Sequence, residues 1–165
     1  MVSRVVALIV TMLCIGACGG GTASSPPTPS PSPVLLATVT QTMTDCTLSG
    51  IADHAKGPRV KLQIVDRTGV NSAFDMWLVP GGHTYADSVA FIAKERAKAL
   101  AGQDGLGSDA FFTESAPDMR ATLSPNESRE AQGYVGAGTY VLVCLREFPT
   151  VGLRPSGVAG PLTVT

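Results

Sequence analysis

The stretch Val60-Lys61-Leu62-Gln63-Ile64 alternates apolar and polar residues, and this alternation decides the fold class. In an extended chain a period of two places the apolar side chains on one face and the polar ones on the other, as in a half-buried strand. Similar stretches occur at residues 37–43, 74–79, 118–123, 139–146 and 162–165, separated by segments rich in Gly, Pro, Asn and Asp. Many short strands with intervening turns predict an all-β sandwich.

One segment departs from the period of two and has apolar residues at helical spacing. It spans residues 87–101, and its apolar face consists of Val89, Ile92, Ala93, Ala97 and Leu100. Asp87 is the expected N-cap and Gly102 the expected stop. The sequence therefore predicts one amphipathic helix inserted between the strands.

The amino terminus has the pattern of an export signal. Arg4 precedes an uncharged apolar run, residues 5–17, which is shorter than the roughly 20 apolar residues that a transmembrane helix needs. The run ends in Ile15-Gly16-Ala17-Cys18, which resembles the bacterial lipobox. The resemblance implies cleavage before Cys18, which becomes a diacylated new terminus. The alternative is an ordinary secretory signal that is cut nearby.

Residues 19–33 consist almost entirely of Gly, Ser, Thr, Ala and Pro, a composition without apolar side chains to bury. We expect an extended tether there, or alternatively a flexible leader with no spacer role. The predicted organisation is a signal peptide at residues 1–17, lipidated Cys18 with a tether at residues 18–33, and one domain at residues 34–165. It predicts a protein anchored in the cell membrane and facing the extracytoplasmic side.

Export leaves two cysteines for the folded domain. Cys14 is removed with the signal and Cys18 takes the lipid, so that Cys46 and Cys144 remain. Exported proteins meet oxidising surroundings in which disulfides persist, and we therefore expect a bond between Cys46 and Cys144. The alternative is a free Cys144 thiolate that acts as a ligand or nucleophile.

Several segments resemble those of a cupredoxin-like domain. In the carboxyl-terminal half they are Leu-Ser-Pro-Asn-Glu-Ser at residues 123–128, Gly-Thr-Tyr-Val-Leu-Val-Cys at residues 138–144, Gly157, and Leu-Thr-Val at residues 162–164. Residues 60–79, with the Gly-Gly-His-Thr that follows at residues 81–84, resemble the middle of such a domain. The resemblance implies a Greek-key sandwich over most of residues 34–165. In that family the strand matching residues 138–144 ends in the copper-ligand cysteine, a histidine and often a methionine follow it, and another histidine lies on an earlier strand.

Only Cys144 matches this ligand pattern. Neither His nor Met follows it, and the earlier strand at Ser72-Ala73-Phe74 has no histidine. A blue-copper site needs two imidazoles and a thiolate, and a bond to Cys46 would remove the thiolate. We therefore expect a cupredoxin-like scaffold without the usual copper site and without a bound cofactor.

The other candidates for metal chemistry are few. His54 and His83 are the two histidines of the chain, and both are predicted to lie in loops, where an imidazole can act as a ligand or base but is more often solvated. Three methionines could serve as soft copper ligands, although their positions in predicted strands favour core packing: Met43, Met76 and Met119.

The sequence gives little support for catalysis or phosphate binding. No G-x-S-x-G elbow occurs, and serines such as Ser49 and Ser156 lie in turn contexts, so we expect no catalytic residues. The glycine-rich residues 133–138 precede a strand rather than a helix, which predicts a hairpin turn instead of a phosphate-binding loop.

The function expected from these observations is a non-catalytic binding or structural module of the cell envelope. Its partners would be the membrane, through the lipid, and an unidentified envelope protein or small ligand. A net charge of −1 without a Lys or Arg cluster gives no footprint for nucleic acid. One alternative is a copper-handling protein with an unusual ligand set drawn from His54, His83, the methionines and Cys144. A hydrolase, the other alternative, is supported only by the presence of Ser, Asp and His.

Overall fold

The computed structural model of the protein describes residues 35–50, 58–112 and 116–165. In these residues the elements, in chain order, are β1 (Leu35–Thr42), β2 (Cys46–Ser49), β3 (Arg59–Arg67), β4 (Ser72–Leu78), α1 (Tyr85–Leu100), a short 3-10 turn (Ser108–Ala110), β5 (Met119–Leu123), β6 (Ser128–Tyr134), β7 (Gly138–Phe148) and β8 (Gly152–Val164). The predicted signal peptide, Cys18, the tether and His54 lie outside the described residues.

The strands form two four-stranded sheets. The first sheet has the order β2-β1-β3-β6, and the second has the order β5-β4-β7-β8. β1 and β3 are parallel, whereas the other neighbours are antiparallel. The chain changes sheets after β3, β5 and β6, which gives the crossed connections of a Greek-key sandwich. The prediction of an all-β sandwich with one inserted helix is confirmed.

The core between the sheets follows from the alternation of apolar and polar residues in β3. Val60, Leu62 and Ile64 on β3 are fully buried, while Lys61 and Gln63 between them are partly exposed. The second sheet contributes its own inward residues to this cluster, among them Phe74, Met76, Leu142 and Cys144. Each large apolar side chain removed from water contributes about 1.5 to 3 kcal/mol, so that the interior of the sandwich is the main source of stability.

β4 and β7 are buried on both faces, because α1 and the segment after it cover the outer face of the second sheet. The outward residues Ala73, Trp77, Val141, Val143 and Leu145 pack there with Ile92 of α1 and Phe112. The Trp77 and Phe112 rings stack with centroids 4.8 Å apart. Among the described residues, no helix has the length and apolar character required to span a membrane.

The helix begins earlier than the sequence predicts. Thr84 is its N-cap: the Thr84 hydroxyl accepts a hydrogen bond from the Asp87 backbone N–H at 3.2 Å, and the Asp87 carboxylate accepts one from the Thr84 backbone N–H at 2.7 Å. This reciprocal pair is a capping box, in which Asp87 is the third helical residue. The prediction that Asp87 is the N-cap was therefore wrong. At the other end Gly102 follows the helix with a φ of +69°, as expected of its stop.

The buried face of the helix is also not the predicted one. Its buried residues are Ser88, Ile92, Glu95 and Ala99, so that only Ile92 of the predicted apolar face is buried, and Leu100 is 61% exposed. Glu95 is tolerated because its carboxylate accepts hydrogen bonds from Lys98 Nζ at 2.7 Å and from the Gly107 backbone N–H at 3.0 Å. The loop after α1 thus satisfies a polar group that periodicity alone would place in solvent.

Two elements were not predicted because they lack a clear alternation, namely β2 and β6. The glycine-rich segment before β7 is not a hairpin, since β6 belongs to the first sheet and β7 to the second. It crosses between the sheets, and the Tyr140 hydroxyl donates a hydrogen bond to the Gly136 carbonyl oxygen at 3.0 Å. That prediction failed because a turn signal gives no information about which strands become neighbours.

Candidate functional site

Cys144 lies on β7 with its side chain in the fully buried interior of the sandwich. It is bonded to Cys46 of β2, with a Cα–Cα distance of 6.1 Å and a sequence separation of 98 residues. The predicted disulfide is therefore present, and it joins the edge strand of the first sheet to an inner strand of the second. In this state the Cys144 sulfur is not the free thiolate that the alternative required.

Gly157 on β8 makes room for this crosslink. A Cβ atom at residue 157 would lie 2.9 Å from the Cys46 Cβ and 3.2 Å from the Cys46 backbone nitrogen, closer than such atoms approach one another. A side chain there would force β2 and β8 apart. Gly157, which is one of the residues that carry the family resemblance, thus has a local packing role.

Of the other proposed copper ligands, His83 does not lie beside Cys144. Phe74 is its register partner on β4, while exposed His83 comes after the far end of β4 and packs against the Phe111 ring with centroids 4.9 Å apart. That end of β4 pairs with Tyr140, and four residues at roughly 3.4 Å each separate Tyr140 from Cys144 by about 14 Å. His83 therefore lies in the loop beyond that end of β4, away from Cys144.

The positions of the three methionines also bear on whether the protein could hold copper. Met76 and Met119 are buried in the core, as expected for packing, whereas Met43 is 45% exposed. Within residues 35–50, 58–112 and 116–165, no three His, Cys, Asp or Glu side chains are grouped so as to hold a metal ion. The side chains in this part of the chain do not fit the two imidazoles and thiolate of a blue-copper centre.

Several buried polar groups beside the disulfide make structural hydrogen bonds, whereas the buried Gln41 Oε1 has no partner among the described residues. The ladder between β7 and β8 shifts register after Cys144, where Leu145 faces Pro155, which has no N–H to donate. Fully buried Gln41 donates from Nε2 to the Leu145 carbonyl oxygen at 2.6 Å, and the Ser156 hydroxyl donates to the Cys144 carbonyl oxygen at 3.1 Å. The Ser156 hydroxyl therefore has a structural role at the strand bulge.

A polar pocket lies where β4 and β8 begin and where β5 and β7 end. Its volume is about 440 Å³, within the roughly 300 to 1,000 Å³ usual for small-molecule sites. We call it the end pocket, and it is lined by hydrogen-bonding residues (Asn71, Ser72, Thr122, Ser124), charged residues (Glu127, Arg129, Glu147) and two leucines (Leu123, Leu153).

The turn between β5 and β6 that borders the end pocket is fixed to β3. Asp66 on β3 is only 2% exposed, and its carboxylate accepts hydrogen bonds from the backbone N–H groups of Asn126 at 2.7 Å and Thr68 at 3.2 Å. Asn126 has a φ of +61°, a left-handed conformation that asparagine adopts more readily than most residues. The buried carboxylate therefore holds one wall of the pocket in a defined position.

The charges of the end pocket do not balance. Glu127 accepts a hydrogen bond from the Ser124 backbone N–H at 2.8 Å, which is the main cause that lowers its pKa, and it pairs with Arg129 at 3.0 Å. Glu147 accepts from Asn71 Nδ2 at 2.8 Å, but no cation of the described residues pairs with it. One carboxylate is thus left over, and the lining has a net negative charge.

The end pocket could not be predicted from the sequence. Its residues come from the ends of separate strands, so no spacing along the chain brings them together. The one signal was the segment at residues 123–128, which was singled out for its family resemblance alone. Of the predicted candidate residues, the structure brings together Cys46 and Cys144 and leaves His83 apart.

Comparisons with known proteins give similarity at the level of fold. No protein-family model matches the chain. No curated protein matches it either. Reduced auracyanin from Roseiflexus castenholzii is 13% identical, with a TM-score of 0.40 over 81% of this chain and 99% of that chain. Auracyanin A, a "blue" copper protein from Chloroflexus aurantiacus, is 16% identical, with a TM-score of 0.40 over 81% of this chain and 100% of that chain.

Proposed function

We propose that this protein is a non-catalytic binding module, anchored in the cell membrane on its extracytoplasmic side through a lipid on Cys18. The anchor rests on the lipobox-like residues 15–18 and the apolar run before them. The oxidised Cys46–Cys144 pair is in keeping with an exported protein, because disulfides persist outside the reducing cytosol. The tether at residues 18–33 would hold the sandwich away from the bilayer.

The end pocket carries the binding part of the proposal. It combines hydroxyl, amide and charged side chains at the end of a rigid sandwich, where strand ends and loops commonly form ligand sites. The unpaired carboxylate of Glu147 favours a ligand with a positive charge, and the surrounding hydroxyl and amide groups favour a ligand rich in hydroxyls. The chemical class that suits both features is a small hydroxylated amine, such as an amino sugar.

Calorimetric titration with three sugars of similar size tests this proposal. Glucosamine is cationic, glucose neutral and glucuronate anionic at neutral pH, and we expect affinity to fall in that order. Glu147→Gln should weaken glucosamine binding about tenfold, because a hydrogen bond to a charged group contributes roughly 1.5 to 3 kcal/mol. The matched control is Glu130→Gln, which removes a carboxylate paired with Lys61 outside the end pocket and should leave affinity unchanged.

Three results would contradict the proposal. Equal affinity for the three sugars, or no detectable binding of any of them, would remove the end pocket as an amine site. Stoichiometric copper in the purified, oxidised protein would favour the copper-handling alternative instead. For that alternative the described residues supply no ligand group, so no observation favours it as a second candidate.

A further inference from the structure

The helix α1 presents an apolar face that the sandwich does not cover. Because Ser88, Glu95 and Ala99 are turned toward the protein with Ile92, the stripe formed by Val89, Ala93, Ala97 and Leu100 faces a groove between α1 and β8. Val158 on β8 forms the opposite wall, and the volume is about 390 Å³. We call this site the helix groove. It shares no lining residue with the end pocket.

A single cation lines the helix groove. Arg96 is half-buried among the apolar side chains and has no hydrogen-bond or ion-pair partner in the part of the chain that the structure describes. Neighbouring Glu95 cannot supply one, because its carboxylate is already bound to Lys98 and the Gly107 backbone. A guanidinium that is partly removed from water without a counter-charge favours an anionic group beside it.

A second guanidinium adds to the positive potential. Arg146 on β7 is 7% exposed and packs over the Phe148 ring at 3.7 Å, and its buried Nε has no partner among the described residues. Burial lowers the pKa of Arg146, and repulsion from Arg96 lowers it further, so the two cations act on each other. No carboxylate in the described ranges pairs with either of them.

We infer that the helix groove binds one acyl chain with an anionic head group, as in a free fatty acid, with the chain along the apolar stripe and the carboxylate at Arg96. Charge complementarity selects this occupant. A second copy of the chain packed through the same face would bring another Arg96 and no carboxylate, because no acidic residue lines the helix groove. A concave groove of this volume also suits a single chain better than a flat bilayer surface.

Calorimetric titration of the purified protein with decanoate, below its micelle concentration, tests the inference. We expect one decanoate per chain. Arg96→Gln should weaken decanoate binding about tenfold and leave the binding of uncharged 1-decanol unchanged, because the guanidinium contacts only the head group. Ala93→Trp, at an exposed position that lines the groove, should abolish binding of both. Lys94→Gln is the matched control, since Lys94 is an exposed cation of α1 outside the groove.

Three outcomes would overturn the inference. The first is decanoate binding that neither Arg96→Gln nor Ala93→Trp changes while circular dichroism shows both variants folded. The second is binding to phosphatidylglycerol vesicles without binding of decanoate, which would assign α1 to a bilayer surface. The third is self-association through α1 in sedimentation experiments, without decanoate binding. Glucosamine titration of Ala93→Trp separates this site from the end pocket. The variant should lose decanoate binding and keep glucosamine binding, because the two sites share no lining residue.

Discussion

Cys144 is the residue at which the cupredoxin-like pattern and the chemistry of this chain diverge. A cysteine on β7 can supply a thiolate only while its sulfur is free, and here the sulfur is bonded to Cys46. The bond closes a loop that includes about three quarters of the domain, since 98 residues separate the two cysteines. Long loops lose the most chain entropy on closure, so this crosslink is expected to stabilise the fold strongly.

Removing the crosslink should therefore lower the free energy of unfolding. The double variant Cys46→Ala with Cys144→Ala is expected to lose about 2 to 5 kcal/mol, because its unfolded chain regains the freedom that the bond removes. Urea unfolding followed by fluorescence of Trp77, the one tryptophan, measures the change. Added reductant should destabilise the wild-type protein similarly and leave the double variant unaffected. Equal stability of oxidised protein and double variant would contradict this expectation.

Asp75 is a buried carboxylate on the outer face of β4. Its side chain is 1% exposed and pairs through both oxygens with Arg120 Nε at 2.7 Å and with a terminal Arg120 nitrogen at 2.8 Å. Burial raises the pKa of Asp75, and the Arg120 guanidinium offsets only part of that effect. A raised pKa means that the contribution of Asp75 to stability is full below pH 3.8 and is lost as the pH rises through its folded-state pKa.

Arg120→Ala should reveal the free-energy cost of burying the charged Asp75 carboxylate. At neutral pH the variant leaves a buried carboxylate without its cation, and we expect a loss of about 2 to 3 kcal/mol in unfolding free energy. The loss should shrink on acidification, because Asp75 then takes up a proton and no charge remains buried. Denaturant unfolding between pH 3 and 8 measures both effects. In an Asp75→Asn background the same Arg120→Ala change should cost much less, and a loss independent of pH and background would refute the account.

At the scale of elements, α1 combines a strong local signal with a tertiary choice of face. Its start is fixed by the capping box between Thr84 and Asp87, and its end by Gly102. The side of the helix that faces the sheet is set by the loop after α1, which satisfies Glu95 through the Gly107 backbone. Local sequence thus places the helix along the chain, whereas its rotation about its axis depends on distant partners.

Thr84→Ala should destabilise the protein by about 1 kcal/mol, because the first turn loses the hydroxyl that accepts from the Asp87 N–H. Thr84→Ser keeps that hydroxyl and serves as the control. The Thr84 backbone N–H lowers the pKa of Asp87, so the contribution of Asp87 is present above pH 3.8 and is lost as the pH falls through its lowered folded-state pKa. Thermal unfolding of both variants from pH 2 to 7 checks the cap, and equal stability of Thr84→Ala and wild type would count against it.

At the scale of the whole molecule, the sandwich separates two candidate binding sites on one scaffold. The end pocket is polar and lies at strand ends, whereas the helix groove is apolar and lies between α1 and β8. A tether between a lipid anchor and such a domain would let both sites work near a membrane without either touching it. This arrangement makes the anchor at Cys18 the first property to verify.

Cys18→Ser should move the protein from the membrane fraction to the soluble fraction, because two acyl chains together hold a protein durably where one chain binds only marginally. Cys14→Ser is the matched control, since Cys14 lies within the signal run and its replacement should leave the anchor in place. Fractionation of cells expressing each variant, with mass spectrometry of the amino-terminal peptide, measures the effect. Membrane retention of Cys18→Ser would exclude lipid at that residue as the anchor.

The sequence by itself determined the strand character of most of the sandwich, the presence of one helix and the pairing of the two domain cysteines. These features are local or combinatorial. Alternation fixes which face of a strand is apolar, as in residues 60–64, and the proposed export and lipidation would leave a single cysteine pair. The strands β2 and β6 were not predicted, because their sequences do not alternate. Their pairing with β1 and β3 holds them in the sheet, whatever their own pattern.

The positions of the two candidate binding sites follow from the tertiary structure and not from the sequence pattern. The end pocket joins Asn71, Glu127 and Glu147 from different strand ends, and no period along the chain records that proximity. The exposed face of α1 could not be read from its apolar spacing either, because the Gly107 backbone made it favourable to bury Glu95 instead. Periodicity reports what a segment can bury, and the partners available in three dimensions select what it does bury.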